Sequence, residues 1–334
     1  NGLLAGAPLI GQVLGETGTL TNLTDQPQTI LFHGIYNNPV VFAQSASRNG
    51  AEPVVVRVTD VQADRFTIYL QEPSDRNGAH AAETVSYMVL EAGQWQLSDG
   101  TLVEAGQVIT SATVGVLLSD QWETVSLATP WADSPVVLSQ VQTANDPSFV
   151  KTRQQDFAAG GFQIALEGEE DDTSPHGLET IGYLAIEAGR GDLGVVEFEA
   201  FTTAALFNHA GTTWTFNESF DQPPGFLSSL SGYIGTNAVE LRYDSLNESG
   251  VRVYVEEDTT FDTEIIHLAE SISYLAFAGN GLLTGQPQVG QVIGQAAISI
   301  TTIIAMRTGR STDSASVANW MPSGRPRPSL AATL

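Results

Sequence analysis

This sequence predicts an all-β protein of tandem antiparallel sandwiches. Three observations carry the prediction. One segment recurs three times along the chain, the apolar runs are short and rich in β-branched and aromatic residues, and no helical pattern of adequate length appears. The recurring segment first reads Pro39-Val-Val, Arg57-Val-Thr-Asp60, Phe66, His80-Ala-Ala-Glu83, Val85-Ser-Tyr87 and Glu91-Ala-Gly93. Shifted by 96 positions without a gap, it reads Pro135-Val-Val, Arg153-Gln-Gln-Asp156, Phe162, His176-Gly-Leu-Glu179, Ile181-Gly-Tyr183 and Glu187-Ala-Gly189. A divergent third copy keeps Pro224, Arg242, Gly250-Val251, His267-Leu-Ala-Glu270, Ile272-Ser-Tyr274 and Ala278-Gly279.

The strands follow in order within each copy. Val54-Val-Val-Arg-Val-Thr, Phe66-Thr-Ile-Tyr-Leu and Val85-Ser-Tyr-Met-Val-Leu belong to the first. Phe162-Gln-Ile-Ala-Leu and Ile181-Gly-Tyr-Leu-Ala-Ile belong to the second, and Val251-Arg-Val-Tyr-Val to the third. Clusters of Gly, Asn, Asp and Pro separate them, as turns require. A shorter repeat frames the array. Asn1-Gly-Leu-Leu-Ala-Gly-Ala-Pro-Leu-Ile-Gly-Gln-Val-Leu-Gly15 recurs as Asn280-Gly-Leu-Leu-Thr-Gly-Gln-Pro-Gln-Val-Gly-Gln-Val-Ile-Gly294, identical at ten of fifteen positions. The expected organisation is an N-terminal linker or strand motif at 1–15, sandwich repeats at 16–93, 94–189 and 190–279, and the repeated linker motif, a strand and a basic tail at 280–334.

Composition narrows the function. The 334 residues are 42% hydrophobic, enough to build cores, but only 15% charged, with 38 acidic against 13 basic side chains and a net charge of −25. Lys151 is the only lysine. Such a surface repels phosphate backbones and anionic membranes, so nucleic acid is not an expected partner, and no apolar run approaches the ~18 residues of a membrane span, so insertion is not expected either. With no cysteine there are no disulfides and no thiolate chemistry. The opening Asn-Gly-Leu-Leu has neither Met nor a basic leader, which reads as a mature, processed or fragmentary chain.

The pattern of these residues resembles the H-type lectin domain, a six-stranded β-sandwich found in snail agglutinins and slime-mould discoidins. The resemblance rests on Pro39-Val-Val, Arg57, Arg65-Phe66 and Ser86-Tyr-Met-Val-Leu-Glu91 in the first repeat. In the second it rests on Pro135-Val-Val, Arg153, Gly161-Phe162 and Gly182-Tyr-Leu-Ala-Ile-Glu187, and in the third on Pro223-Pro224, Arg242 and Ser273-Tyr-Leu-Ala276. It implies the fold, and the family's trimers imply that three repeats either close on one another or run as beads. It does not carry over the family's sugar site. Its Trp-His pair corresponds here to Pro73-Ser74 and Glu169-Glu170, and its second arginine to Pro53 and Phe149.

Each repeat carries an acidic hairpin followed by His-x-x-Glu. Asp75, His80 and Glu83 form the first set; Glu169, Glu170, Asp171, Asp172, His176 and Glu179 the second; Glu257, Asp258, His267 and Glu270 the third. Clustered carboxylates are hard oxygen ligands suited to calcium, and His with Glu suits a transition metal. The simpler reading is that each histidine pairs with a carboxylate and closes its hairpin, because no recognised calcium-loop spacing occurs. The recurring arginines Arg57, Arg153 and Arg242 read as structural cations paired with carboxylates or stacked on aromatic rings. The five tryptophans do not recur at one aligned position, so packing fits them better than a sugar platform. No nucleophile elbow, zincin or Walker motif occurs, and no enzyme activity is expected.

The C-terminal region is the one that suggests a partner. Residues 298–306, Ile-Ser-Ile-Thr-Thr-Ile-Ile-Ala-Met, form a strong strand sequence, and strand addition to a neighbouring chain would satisfy its edge. Residues 295–334 carry a net +3 and the preceding 294 residues a net −28, so the tail complements the body of another copy. Ile298, Ile300, Ile303, Ile304, Met306, Arg307, Arg310, Arg325 and Arg327 are the candidate assembly residues. The expected function is a secreted, non-catalytic structural or adhesive repeat protein, extracellular or at a cell surface, that assembles head to tail with copies of itself. A carbohydrate-binding lectin with a different site and a calcium-dependent adhesin are the alternatives.

Overall fold

A computed structural model describes residues 12–287, which lie within one compact unit. All secondary structure among them is β, as the sequence predicts. The first repeat contributes β1 (Gln12–Leu23), β2 (Gln28–Leu31), β3 (Pro39–Phe42), β4 (Ala46–Ser47), β5 (Val55–Gln62), β6 (Arg65–Gln71) and β7 (Glu83–Glu91). The second contributes β8 (Gly93–Gln96), β9 (Leu102–Thr110), β10 (Thr113–Val114), β11 (Glu123–Ser126), β12 (Val136–Val141), β13 (Lys151–Ala158), β14 (Gly161–Glu167) and β15 (Glu179–Ile186). The third contributes β16 (Gly189–Asp192), β17 (Glu197–Thr202), β18 (Thr212–Thr215), β19 (Gly225–Leu230), β20 (Val239–Asn247), β21 (Gly250–Glu257) and β22 (Ile272–Phe277), and β23 (Gly281–Pro287) follows it.

The pairing scheme is the same in each repeat. An inner sheet places the closing strand between the first strand and the Pro-Val-Val strand: β3-β7-β1, β12-β15-β9 and β19-β22-β17. An outer sheet places the Gly-Phe strand centrally: β2-β6-β5, β11-β14-β13 and β18-β21-β20. Each outer hairpin has a bulge between its two longest strands, at Thr59/Gln62, Gln155/Ala158 and Asp244/Asn247. The residue three after the recurring arginine takes a left-handed conformation in every case: Asp60 at φ 49°, Asp156 at 55° and Ser245 at 53°. Short polar side chains tolerate that region best, which accounts for the repeated aspartate. Gly18 and Gly106 have no room for a Cβ, since the rings of Tyr87 and Tyr183 lie where it would stand.

Each sandwich has a private core. Val41, Val56, Phe66, Ile68 and Val89 belong to the first, Val137, Phe162, Ile164 and Ile181 to the second, and Phe226, Val253, Val255 and Tyr274 to the third. A fourth cluster belongs to all three repeats. It joins Leu14, Val40, Phe42, Met88 and Leu90 with Val136, Leu138, Leu184 and Ile186, and with Phe198, Leu227, Leu275 and Phe277. The inner sheets therefore pack on one another around a common centre, the closed arrangement of the two left open by the sequence. Buried polar contacts stitch the same strands together. Val41 N donates to Gln142 Oε1 at 2.8 Å, Ser139 N to Ser229 Oγ at 3.1 Å, and Phe226 N to Ser86 Oγ at 3.2 Å.

β23 completes the closure. β8 pairs with β9, and β16 with β17, as local hairpins. β23 occupies the corresponding place beside β1, with Thr17 opposite Gly281 as Ala105 is opposite Gly93 and Ala200 opposite Gly189. It also pairs with β8 through Gln286 and Pro287, and Thr284 N donates to Leu193 O at 3.4 Å, so it touches all three repeats. The motif read as a linker at 280 is thus a structural strand in its first half, and β1 begins at Gln12, inside the first copy of that motif. Ile298 to Arg327 lie outside the described residues.

Leu138 is 2% exposed within the shared core. Leu138→Ala is expected to cost about 2–5 kcal/mol, as large-to-small core substitutions do. Because that core spans the repeats, calorimetry should show one transition moving to lower temperature; two repeats melting unchanged would contradict a shared core.

Candidate functional site

The three His-x-x-Glu motifs begin the closing strands β7, β15 and β22 or lie just before them, and they stand at the joints between repeats. Glu83, Glu179 and Glu270 are fully buried. A buried carboxylate needs several donors, and each glutamate collects a pair of consecutive backbone amides, joined at Glu83 and Glu179 by a hydroxyl. Glu83 accepts from Asn49 N at 2.9 Å, Gly50 N at 2.7 Å and Ser47 Oγ at 2.5 Å. Glu179 accepts from Asn145 N at 3.2 Å, Asp146 N at 2.8 Å and Thr143 Oγ1. Glu270 accepts from Ile234 N at 3.1 Å and Gly235 N at 3.0 Å.

The histidines complete these nests. His80 Nδ1 lies 2.9 Å from Glu72 Oε1 and its Nε2 lies 3.1 Å from Glu83 Oε1. His267 repeats this with Glu257 at 2.6 Å and Glu270 at 3.2 Å. His176 has looser partners, Glu179 at 3.5 Å and Asp146 at 3.9 Å. His80 and His267 thus tie their hairpins to the start of the closing strand, whereas His176 only faces Glu179 and Asp146.

At two of the three joints a further donor to the glutamate comes from another repeat, and at the third the arginine bonds the neighbouring backbone. Arg242 Nη2 donates to Glu83 Oε1 at 2.7 Å and to Ser47 O at 2.6 Å, and its Nη1 donates to Glu52 O at 2.9 Å. Arg153 Nη2 donates to Glu270 Oε1 at 3.1 Å and Gly235 O at 2.8 Å, and the guanidinium sits 4.9 Å from the centre of the Tyr233 ring. Arg57 donates to Ser148 O at 2.8 Å and Thr143 O at 3.3 Å, beside Glu179. Repeat 1 therefore reaches into repeat 2, repeat 2 into repeat 3, and repeat 3 into repeat 1. All three arginines are fully buried.

The electrostatics follow. For Glu83 and Glu270 burial favours the neutral acid, but hydrogen bonds from the neighbouring histidine and backbone, and at Glu270 the charge of Arg153, outweigh it and hold the carboxyl below the usual range. For His267 burial opposes the charge, but the bonds to Glu257 and Glu270 win and raise its pKa. The acidic hairpins behave in the opposite way. They meet at one end of the ring, where Ser74 N and Oγ donate to Glu169, Glu170 N donates to Asp258 and Asp171 N to Thr260 Oγ1, while Thr259 Oγ1 donates to Asp75. Burial, and then the charges of Asp258, Asp262, Glu257 and Glu264, push Glu170 up to about 7. Burial raises Glu169 and Asp172 as well.

Among the described residues, Glu52, Glu72 and His80 are the group of three whose ligand atoms approach within 4.8 Å of one another. The carboxylates of 167–172 are not gathered that closely. Lys151 is enclosed near the same end. Its Nζ donates to Gly168 O at 2.8 Å and lies 3.8 Å from Glu167 and 4.0 Å from Asp258.

Sequence reasoning missed a second recurring glutamate. Glu16, Glu104 and Glu199 are buried at matching positions of β1, β9 and β17. They take hydroxyl bonds from Tyr36, Tyr183 and Tyr274 and backbone bonds from His33, Ala128 and Asn217. The signal was a glutamate two residues before Gly18, Gly106 and Phe201, with only glutamate itself common to all three copies.

Fold and site together define a repeat protein whose recurring polar residues are joints of a closed three-part ring. No family model and no solved structure matches the chain. Over 269 residues, 77% of its length, it is 33% identical to Halomucin of Haloquadratum walsbyi (strain DSM 16790 / HBSQ001), and it spans 3% of the length of that relative. Among the described residues no helix is long and apolar enough to cross a membrane.

Two outcomes test the electrostatics. Arg153→Ala leaves buried Glu270 without its cation and should cost about 3–5 kcal/mol in denaturant unfolding, as breaking one side of a buried pair does. Glu170 is raised in the folded state, so its contribution is full below the ordinary glutamate range and is lost as pH rises through about 7. Glu170→Gln should therefore raise Tm at pH 8 and leave it unchanged at pH 4. Added sodium chloride should likewise raise the wild-type Tm at pH 8, because it screens the −25 body.

Proposed function

We propose that the chain is a secreted, non-catalytic structural or adhesive subunit, placed at a cell surface or in an extracellular fibre, that assembles head to tail with its own kind. One observation carries this reading. The recurring residues with chemical capability, three histidines, three arginines and their glutamates, are spent inside joints between repeats. What remains outside is acidic surface on a closed body. The similarity to Halomucin supports the same direction, since the chain matches a small part of a far longer protein, as a building block does. The net +3 of residues 295–334 against the −28 of the rest supports attachment to another copy.

Binding of carbohydrate is a second reading, supported by a cleft of about 240 Å³ at the boundary of repeats 2 and 3. Asp133, Ser134 and Glu187 supply polar groups to its lining, with the edge of the largely buried Trp131 beside them. A glycan array separates the readings: strong, selective binding by a monomer favours the lectin.

For the structural reading the expected result is oligomers or filaments of the full chain in light scattering and negative-stain microscopy, and their loss on deleting residues 295–334. A chain that stays monomeric at high concentration, with and without calcium, contradicts it.

A further inference from the structure

β8 and β16 reach their partners through short turns, residues 97–101 and 193–196, so each is bound to pair locally. β23 is not. Its partner β1 lies at the other end of the chain: Gln12 pairs with Gly285, Val13 with Thr284, Glu16 with Leu282 and Thr17 with Gly281. The Thr17 hydroxyl fastens the strand's start, donating to Gly279 O at 3.3 Å and accepting from Gly281 N at 3.1 Å. Leu283, fully buried, plugs it into the shared core.

Two segments of the chain carry the sequence for this one slot. Residues 1–15 and 280–294 are identical at ten of fifteen positions, including Gly-Leu-Leu at the start of β23. Residues 2–8 share Gly-Leu-Leu, Gly and Pro with residues 281–287. A terminal strand whose partner lies at the other end of the chain is an element that identical copies can exchange at low cost. The backbone bonds and the buried leucine are the same whether the strand comes from its own chain or from another.

We propose that the edge of β1 is an exchange site: Gly281–Pro287 of one copy docks along β1 of a second copy and links the two head to tail. This rests on the assembly reading above and names its slot and its donor. A donor on one molecule and an acceptor on the next form a heterologous contact, which propagates into a chain of copies unless it closes into a ring.

The chain has no cysteine, so a disulfide reports the pairing without background. Thr19 and Asn280 are exposed and touch side chain to side chain, Thr19 Oγ1 donating to Asn280 Oδ1 at 3.3 Å. Full-length Thr19→Cys and Asn280→Cys variants, each checked for a wild-type melting curve, are incubated together at high concentration and oxidised. The expected product is a disulfide-linked species at twice the 35.5 kDa chain mass, containing one of each variant and at least tenfold more abundant than either variant forms alone. The double variant should give a ladder that lengthens with concentration. A double variant that closes only within itself, with no mixed dimer, overturns the exchange; so does the absence of any disulfide. Light scattering on the wild type keeps the two proposals apart, because assembly without the mixed dimer leaves the structural function standing and removes only this slot.

Discussion

The closed form depends on one arrangement: a fully buried glutamate that its own repeat cannot satisfy. Glu83, Glu179 and Glu270 each gather backbone amides from their own repeat; Glu83 and Glu270 pair with an arginine from another repeat, while the arginine that reaches toward Glu179, Arg57, bonds the backbone carbonyls beside it. Carboxylate and guanidinium are both out of water, so each is costly without the other. A single repeat cut from the ring would expose an arginine at one side and an unmatched glutamate nest at the other. The joint therefore selects neighbours as well as holding them, and three such joints in sequence leave no free end.

The same economy of cations shapes the surface. Nine basic residues precede position 295, and Arg57, Arg153, Arg242 and Lys151 are buried in joints. Thirteen carboxylates are buried as well, so burial takes out more negative than positive charge, and the solvent-facing body is still strongly acidic because so few cations are left on it. Glu170 and its neighbours form a second, partly buried concentration of carboxylates where the three hairpins meet. Such a surface resists non-specific association and leaves the +3 tail as the natural attraction between copies.

Much of this was legible in the sequence. The repeats, the strand character and the recurrence of His-x-x-Glu and of the arginines needed only self-comparison, and pairing of histidine with carboxylate was the simpler reading of the motif. What the arginines pair with was not legible, because the partner belongs to a different repeat and no spacing along one repeat encodes it. Glu16, Glu104 and Glu199 escaped for a different reason: their strands share little besides the glutamate itself. The motif at 280 looked like a linker because nothing local pairs with it; its partner is the first described strand of the chain.

The burial patterns hold a clue to closure that periodicity arguments pass over. In the outer sheet β6 alternates between buried and partly exposed positions, and β2 and β18 never bury a full face, as expected of strands with water on one side. In the inner sheets β3, β12, β19 and β22 are buried at every position. On β3, Val41 enters the private core while Val40 and Phe42 enter the shared one. Pro39-Val-Val-Phe and Ile181-Gly-Tyr-Leu-Ala-Ile are continuous runs because both of their faces are interior. An isolated antiparallel sandwich has no use for such strands, since its outward face meets water. Their presence in all three repeats requires something apolar outside each sandwich, and in this chain that something is the other two repeats.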